Sequence, residues 1–440
     1  MFEDESTRSD RHEHARQAIQ AGIEAAQPRR VLGDTVEYHD DTFRIAGTEY
    51  SLDGFDRVLV LGGGNGAGRV AAALMEILGD RIDGGIVVTD NPAETPQIEM
   101  VEGTHPLPSE ANVEGTSRLL ELAEGTTEND LVLTVITGGG SALLCAPAEG
   151  LTLDEYRTLT NRLIESGATI DEINAVRKHV SRIKGGQLAR ALAPARTVGI
   201  VFSDVVGNRL DVIASGPIAP DESTYQDATE VLDRHDVQTP DSVDQILTDG
   251  ADGDRPETPR AGDSVFERVT HHIVADNRTA LDATAETLQQ VGYETAVLSD
   301  RIEGEASDVG GVHAQIALAA AETGEPFAPP VALLSGGETT VTVQGDGTGG
   351  PNQEFALRAA IDIAGSDVIA GAVDTDGIDG ATAVAGALVD GQTVADTRRA
   401  EQALGDNDAF GYLGEQGVLL RTGPTGTNVN DLRLLLVGEP

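Results

Sequence analysis

The two lysines of the chain, Lys178 and Lys184, fall in one stretch, Asn174-Ala-Val-Arg-Lys-His-Val-Ser-Arg-Ile-Lys-Gly-Gly186, beside Arg177, His179 and Arg182. Cations gathered at contact range suit a phosphate or carboxylate, because each brings charged hydrogen-bond donors. The competing reading is a salt-bridged helix face washed by solvent, yet such a face requires no particular cation. Glycine-rich turns offer a second kind of anion contact. Gly62-Gly-Gly-Asn-Gly-Ala-Gly68 and Thr137-Gly-Gly-Gly-Ser141 each follow an apolar run, and glycines let backbone N–H groups converge where a side chain would obstruct them. The candidate contacts are Gly64, Gly66 and Gly68 in the first turn, and Gly138, Gly139, Gly140 and Ser141 in the second. Arg69 could add a bidentate clamp. Ser141 is either a nucleophile or an anion contact, and the unmet G-x-S-x-G elbow favours contact. Asp204, in Ser203-Asp-Val-Val-Gly-Asn208, could accept a hydroxyl proton, hold a metal or cap a turn.

Further along, Ser335-Gly-Gly-Glu-Thr339, Asn352-Gln-Glu354 and Asp374-Thr-Asp-Gly-Ile-Asp-Gly380 concentrate polar and acidic groups. Gly336, Gly337, Glu338, Thr339, Asn352 and Gln353 are candidate ligand contacts, and Glu354, Asp374 and Asp376 candidate metal ligands. The acidic spacing departs from the EF-hand register and suits magnesium, which keeps waters and takes few protein ligands. Thr425, Thr427, Asn428 and Asn430, in a stretch too polar for a core, suggest a clamp.

These residues need elements to hold them. Thr169 and Glu172 are spaced as a capping box, and Ile173, Val176, Val180 and Ile183 as one buried helical stripe. That helix would run to Gly185-Gly186 and leave Arg177, Ser181 and Lys184 in one exposed row, with Lys178 and Arg182 beside it. Apolar runs at Val58–Leu61, Ile86–Val88, Leu131–Ile136 and Val198–Phe202 each end in Gly, Ser, Thr or Asp before a helical segment. Continuous apolar runs alternating with helices predict parallel strands covered on both faces, with ligands beyond the strands' carboxyl ends. Around His235–Glu267 apolar periodicity lapses, which predicts a connector or surface excursion and a domain boundary. Runs at His272–Val274, Thr295–Leu298, Val331–Leu334, Val368–Val373 and Leu432–Val437, with helices over Thr279–Val291, Glu305–Thr323 and Asn352–Ile363, predict a second α/β unit. At the start, Met1–Asp10 reads as a disordered acidic tail, followed by an amphipathic helix weakened by Gly22 and ended near Pro28. Thr42–Leu52 reads as a hairpin.

With 440 residues there is room for two cores. A formal charge of −44, with Arg in place of Lys almost everywhere, fits the cytoplasm of a salt-rich cell. At ~1 M salt the Debye length is about 3 Å, so the acidic surface does not repel an anionic substrate. No basic arm or patch supports nucleic-acid binding. The lone Cys145 precludes an internal disulfide, and no run is long enough to span a membrane.

TGGGSALL (137–144), NAVRKHVSRIKGGQLA (174–189), SDVVGN (203–208), IASGP (213–217), SGGETTVTV (335–343), NQEFAL (352–357), DTDGIDGATAVAGA (374–387) and TGPTGTNVNDL (422–432) together resemble the glycerate 2-kinase family that carries a MOFRL domain. The composition is haloarchaeal-like. The resemblance implies two non-similar three-layer α/β/α domains, 1–238 with a largely parallel Rossmann-like sheet and 239–440 with a smaller mixed one, and an active site in the cleft between them. It implies ATP-dependent, Mg²⁺-assisted transfer of the γ-phosphoryl group to the 2-hydroxyl of D-glycerate, by a monomer or homodimer. Lys178, Lys184 and Arg69 would neutralise charge on the transferred group, Asp204 would orient or deprotonate the hydroxyl, and Glu354, Asp374 and Asp376 would place Mg²⁺. Two positions depart from the family pattern: Arg69 stands where Lys is usual, and Pro351 where Arg precedes Asn-Gln-Glu. Two other readings remain open. Gly62, Gly64 and Ala67 with Asp90 also fit an NAD(P)-dependent oxidoreductase, and the anion contacts alone would serve a non-catalytic organic-acid sensor.

Overall fold

The computed structural model describes Phe2 and residues 9–440. The tail expected over Met1–Asp10 falls largely outside the described residues; Ser9 caps the first helix and Asp10 opens it. Two compact units result, one of Val31–Val274 and one of Met1–Arg30 with Ala275–Pro440.

In the unit Val31–Val274, strands β1 (Val36–His39), β2 (Thr42–Ile45) and β3 (Thr48–Ser51) form an antiparallel meander whose second half is the expected hairpin. The main sheet contains β4 (Arg57–Gly63), β5 (Gly84–Thr89), β6 (Ile98–Glu102), β7 (Asp130–Ile136), β8 (Arg196–Phe202) and β9 (Val269–Ala275). Their order is β6-β5-β4-β7-β8-β9, and the ladders from β6 to β8 are parallel. Leu59 and Leu61 pack with Leu119 and Leu188 on one face, while the alternating Val58 and Val60 are equally buried on the other. That double coverage is why these strands read as unbroken apolar runs. The expected loops Gly64–Gly66, Asp90, Thr137–Gly139 and Ser203-Asp204 follow β4, β5, β7 and β8, so parallel pairing brings them to one edge.

The unit of Met1–Arg30 with Ala275–Pro440 has a mixed sheet of β10 (Glu294–Glu305), β11 (Val331–Thr340), β12 (Val368–Asp374), β13 (Gly386–Asp390), β14 (Leu419–Leu420) and β15 (Asp431–Val437). The order is β10-β11-β15-β12-β13-β14; β10 and β11 pair parallel and the other ladders are antiparallel. Leu333 and Leu435 face a core shared with Phe355 and Ala314, while Leu334 and Leu434 face one shared with Leu281 and Ile19.

Three expectations need correcting. Residues 239–274 belong to the first unit: helix Asp241–Ala251 buries Val243, Ile246 and Leu247 in a core with Tyr225, and β9 joins the first sheet. Each such burial contributes roughly 1.5–3 kcal/mol, which the Pro- and Asp-rich flanks conceal in the sequence. The boundary expected at 238–239 therefore lies at 274, and the first thirty residues join the other unit. Helix Asp10–Ala25 packs there on helix Asn277–Gln290, where a Cβ on Gly22 would approach Thr284 Oγ1 to 2.4 Å, so Gly22 permits a close crossing. Pro28 opens the next helix, Pro28–Thr35, as the fixed φ of proline allows at a first helical position.

Candidate active site

Helix Ile170–His179 starts as expected, with Thr169 and Glu172 in a capping box, but ends at His179 rather than at the glycine pair. Ser181 leaves the helix to bridge Pro147, and Gly185 and Gly186 take left-handed conformations. Lys178 and Lys184 thus lie on neither of the expected exposed rows; they are 4% and 0% exposed. Lys178 Nζ donates to Asp221 Oδ1 at 3.0 Å, and Thr258 Oγ1 and Ser223 donate to the same carboxylate. Burial alone would raise the Asp221 pKa, but the Lys178 charge and these hydrogen bonds outweigh it and hold the carboxyl below its usual range. Beside the pair lies a cavity of about 620 Å³ lined by Asn174, Lys178, Arg209, Asp211 and Asp221 among others.

Lys184 has different partners. Its Nζ donates to Ser141 O at 2.5 Å and Leu144 O at 3.1 Å, with Ser141 Oγ at 3.5 Å. Burial pushes its pKa down to about 7. Direct neutralisation of a phosphate, expected from the sequence, is not what this geometry offers, since every donated bond stays inside the unit.

The triple-glycine turn after β7 is the centre of the first group of residues. A Cβ on Gly138 would approach Asp204 Oδ2 to 2.4 Å, and one on Gly140 would approach the Ala214 Cβ to 2.7 Å. Gly139 is left-handed (φ +72°), and a Cβ there would meet Asn65 Oδ1. Three glycines therefore admit three neighbours. Among the described residues, the amides of Gly138, Gly139 and Ser141 donate no hydrogen bond. Asp204, which follows β8, is partly buried, and burial raises its carboxyl pKa to about 6. Ser141 Oγ lies 2.7 Å from Ser215 Oγ, and Ser215 Oγ donates to Asn174 Oδ1 at 3.0 Å. Ala214, Ser215 and Gly216 are consecutive left-handed residues, backbone strain of the kind that collects at functional sites.

The first glycine turn behaves differently. The Gly64 amide donates to Val88 O, that of Asn65 to Gly138 O, and that of Gly66 to Thr137 Oγ1. Asp90 accepts from Asn65 Nδ2 at 3.0 Å. The Asn65 and Gly66 amides thus lock the two turns together and the Gly64 amide is tied to β5, so none of the three faces a ligand. Their arrangement also engages both the loop amides and the acid that a dinucleotide would need. Gly68 lets Asn91 O approach, Arg69 is exposed on the first turn of helix Ala67–Leu78, and Arg177 is half-buried.

In the other unit, a buried polar network gathers several expected residues. Asp379 accepts from the Asn352 amide (3.0 Å), the Gln353 amide (2.9 Å) and Gln353 Nε2 (2.8 Å), and so caps helix Pro351–Asp362. Asn352 Nδ2 also donates to Asp431 Oδ1 at 2.6 Å. Asp431 in turn accepts from the Thr339 amide and hydroxyl and from the fully buried Arg433. Gly336 admits Asn277 against β11, Gly337 is left-handed beside Ile302, and Glu338 is exposed. Asp379 is raised to about 6 by burial, and Asp374 is raised well above the carboxylate range by burial and then by Asp376 and Asp431.

Glu354 is separate from that acidic group: it is buried, raised by that burial, and accepts from Asn407 Nδ2 at 2.8 Å. No cluster of three or more His, Cys, Asp or Glu among the described residues has the geometry to hold a metal ion. The expected trio of Glu354, Asp374 and Asp376 is thus not one ligand set. The expected clamp residues spend hydrogen bonds on their own unit. Thr425 Oγ1 donates to Thr375 O, Thr427 Oγ1 to Ala26 O, and Asn428 Oδ1 accepts from the Asn430 amide. Asn430 is left-handed and accepts from Thr375 Oγ1 through its carbonyl.

Asn174, Ser215, Asp221, Asp431 and Arg433 were not picked out as site residues from sequence. A signal existed for the last two: Asp431 and Arg433 alternate inside an otherwise apolar strand, where buried charges must pair.

Comparison with known proteins bears on the whole chain. The family described as a domain of unknown function (DUF4147) matches residues 14–248, and the MOFRL family matches residues 331–431. A D-glycerate 2-kinase of Thermotoga maritima is 39% identical over 99% of this chain and 100% of its own. A protein of Agrobacterium vitis named "Putative hydroxypyruvate reductase" is 40% identical over 87% of each. The crystal structure of a glycerate kinase from Thermotoga maritima superposes with a TM-score of 0.85 at 38% identity, covering 97% of this chain and 99% of that one.

Proposed function

The chain belongs to the glycerate kinase family with DUF4147 and MOFRL segments, and from that premise we propose that it is an ATP-dependent glycerate 2-kinase. The reaction is transfer of the ATP γ-phosphoryl group to the 2-hydroxyl of D-glycerate, giving 2-phosphoglycerate. One observation carries the reading: the Asp204 carboxyl lies against a glycine turn whose amides at Gly138, Gly139 and Ser141 donate to nothing else. Phosphoryl transfer asks for positioned donors and a group that orients the attacking hydroxyl. The turn would hold the substrate's anionic end, and Asp204, with a pKa near 6, is ionised at neutral pH and suited to take the hydroxyl proton. Arg69, exposed and permanently charged, would supply a phosphate contact.

ATP use follows from the kinase relatives, and we assign Mg²⁺ to Asp374 and Asp376. Burial, Asp376 and Asp431 all disfavour the charged form of Asp374, a repulsion that a divalent cation relieves. Magnesium needs only one or two carboxylates when phosphates complete its shell. When bound, Mg²⁺ would neutralise phosphate charge; the chain's own part is to hold it and to orient the nucleotide, a role we give to Asn352 and Gln353, which are fixed by Asp379 and Asp431.

We read the protein as cytoplasmic from its acidic composition with Arg in place of Lys almost everywhere. The oxidoreductase reading is disfavoured by the Gly64, Gly66 and Asp90 hydrogen bonds. The test is ADP release with D-glycerate, L-glycerate and hydroxypyruvate in concentrated KCl, followed by enolase coupling. Product that enolase dehydrates carries the phosphate on the 2-hydroxyl. Absence of ADP release, with NADH oxidised by hydroxypyruvate instead, overturns the proposal.

A further inference from the structure

Four successive carbonyls at the end of the triple-glycine turn each accept from a buried side chain. Ser141 O and Leu144 O accept from Lys184 Nζ, Ala142 O from Asn112 Nδ2 at 3.0 Å, and Leu143 O from Thr116 Oγ1 at 3.4 Å. Asn112 and Thr116 come from helix Glu110–Glu124, so the turn is held from two directions. Lys184 is the one charged member of this clamp. The Ser141 carbonyl it holds belongs to the peptide whose N–H, on Ala142, donates to Gly139 O at 3.1 Å, next to the Gly138, Gly139 and Ser141 amides, which donate no hydrogen bond among the described residues. Fixing the Ser141 carbonyl fixes the plane of the Ser141–Ala142 peptide and so aims the Ala142 N–H that closes the turn on Gly139 O, and a buried charge–carbonyl bond resists rotation more strongly than a neutral one.

Resting on the kinase reading above, we propose that Lys184 is a positioning residue for substrate binding: it holds the Thr137–Ser141 turn in its anion-facing conformation without touching the substrate. Lys184 stands at the end of a loop, with its preceding Ser181 bridged to Pro147 and its following Gly185 amide bonded to Ser215 O, so its own backbone is anchored. The groups that bear on its charge are Cys145, which favours the ammonium, and Arg177, which opposes it. The ammonium form is the one that can serve both carbonyls and Ser141 Oγ at once, and it is lost as pH rises.

The test compares wild type with Lys184→Met in high KCl. The proposal expects KM for D-glycerate to rise at least tenfold, with kcat within threefold, and faster hydrogen exchange over residues 137–146. A KM within twofold of wild type, or a fall in kcat alone, overturns it. Should Lys184→Met fail to fold, the measurement moves to Asp204→Asn, which removes the carboxyl titrating beside Gly138 and leaves the Lys184 ammonium in place. There the Gly138 and Gly139 amide resonances should shift together as pH is raised from 6 to 9, and resonances that stay fixed across that range overturn the proposal. If wild type releases no ADP the kinase reading fails, whereas exchange and resonance changes still report on the clamp.

Discussion

The role proposed for Asp204 sets two demands against each other: as a base it must be ionised, and burial disfavours ionisation. Its pKa of about 6 is the compromise. Activity should therefore fall as pH drops through about 6, giving an acid limb in kcat/KM that Lys184, near 7, does not produce, because its protonated form is the competent one. The same shift has a stability consequence with a defined sign. A carboxyl whose folded pKa is raised favours the folded state at low pH, and this contribution is lost as pH rises through the folded value. Asp204→Asn should accordingly raise Tm at pH 8 and leave it nearly unchanged at pH 4, measured by calorimetry at constant KCl. An equal shift at both pH values would mean that the residue is stabilised by something other than its protonation.

At the scale of elements, helix Ile170–His179 is tied to its surroundings by the Lys178–Asp221 pair, both ends of which are buried. Lys178→Met leaves Asp221 unpaired and should cost about 3–5 kcal/mol, much of it recovered in Lys178→Met/Asp221→Asn; denaturant unfolding checks both. The glycine turn has its own test. Gly138→Ala forces a Cβ to within 2.4 Å of Asp204 Oδ2 and should lower kcat/KM by ten- to a hundredfold with little loss of stability, since only the carboxyl has to move. These elements also mark where sequence reasoning held and where it stopped. The capping box, strand runs and strand-end turns were legible because each depends on neighbours a few residues apart. The direction of Lys178 and Lys184 was not, because it depends on Asp221 and on the Ser141 and Leu144 carbonyls, remote in sequence. A cationic cluster looks the same in sequence whether it faces a ligand or is buried against its own chain.

For the whole molecule, the two α/β units were expected, but their limits were not. Helix Asp241–Ala251 was hidden by its acidic, Pro-flanked sequence, and the N-terminal helix joins the later unit through contacts between residues 266 positions apart, such as Thr284 Oγ1 donating to Ala18 O. The formal charge of −44 predicts a salt-dependent fold. Lowering KCl from about 3 M to about 0.1 M lengthens the Debye length to about 10 Å and exposes carboxylate self-repulsion, so Tm should fall steeply while neutral sucrose fails to restore it. A Tm independent of salt would remove that account of the composition. The central claim is that the carboxyl after β8, beside the glycine turn after β7, drives phosphoryl transfer. It is tested most directly by kcat/KM for D-glycerate in Asp204→Asn. The account predicts a loss of about 10²–10⁴-fold with an unchanged circular dichroism spectrum; a rate within threefold of wild type would contradict it.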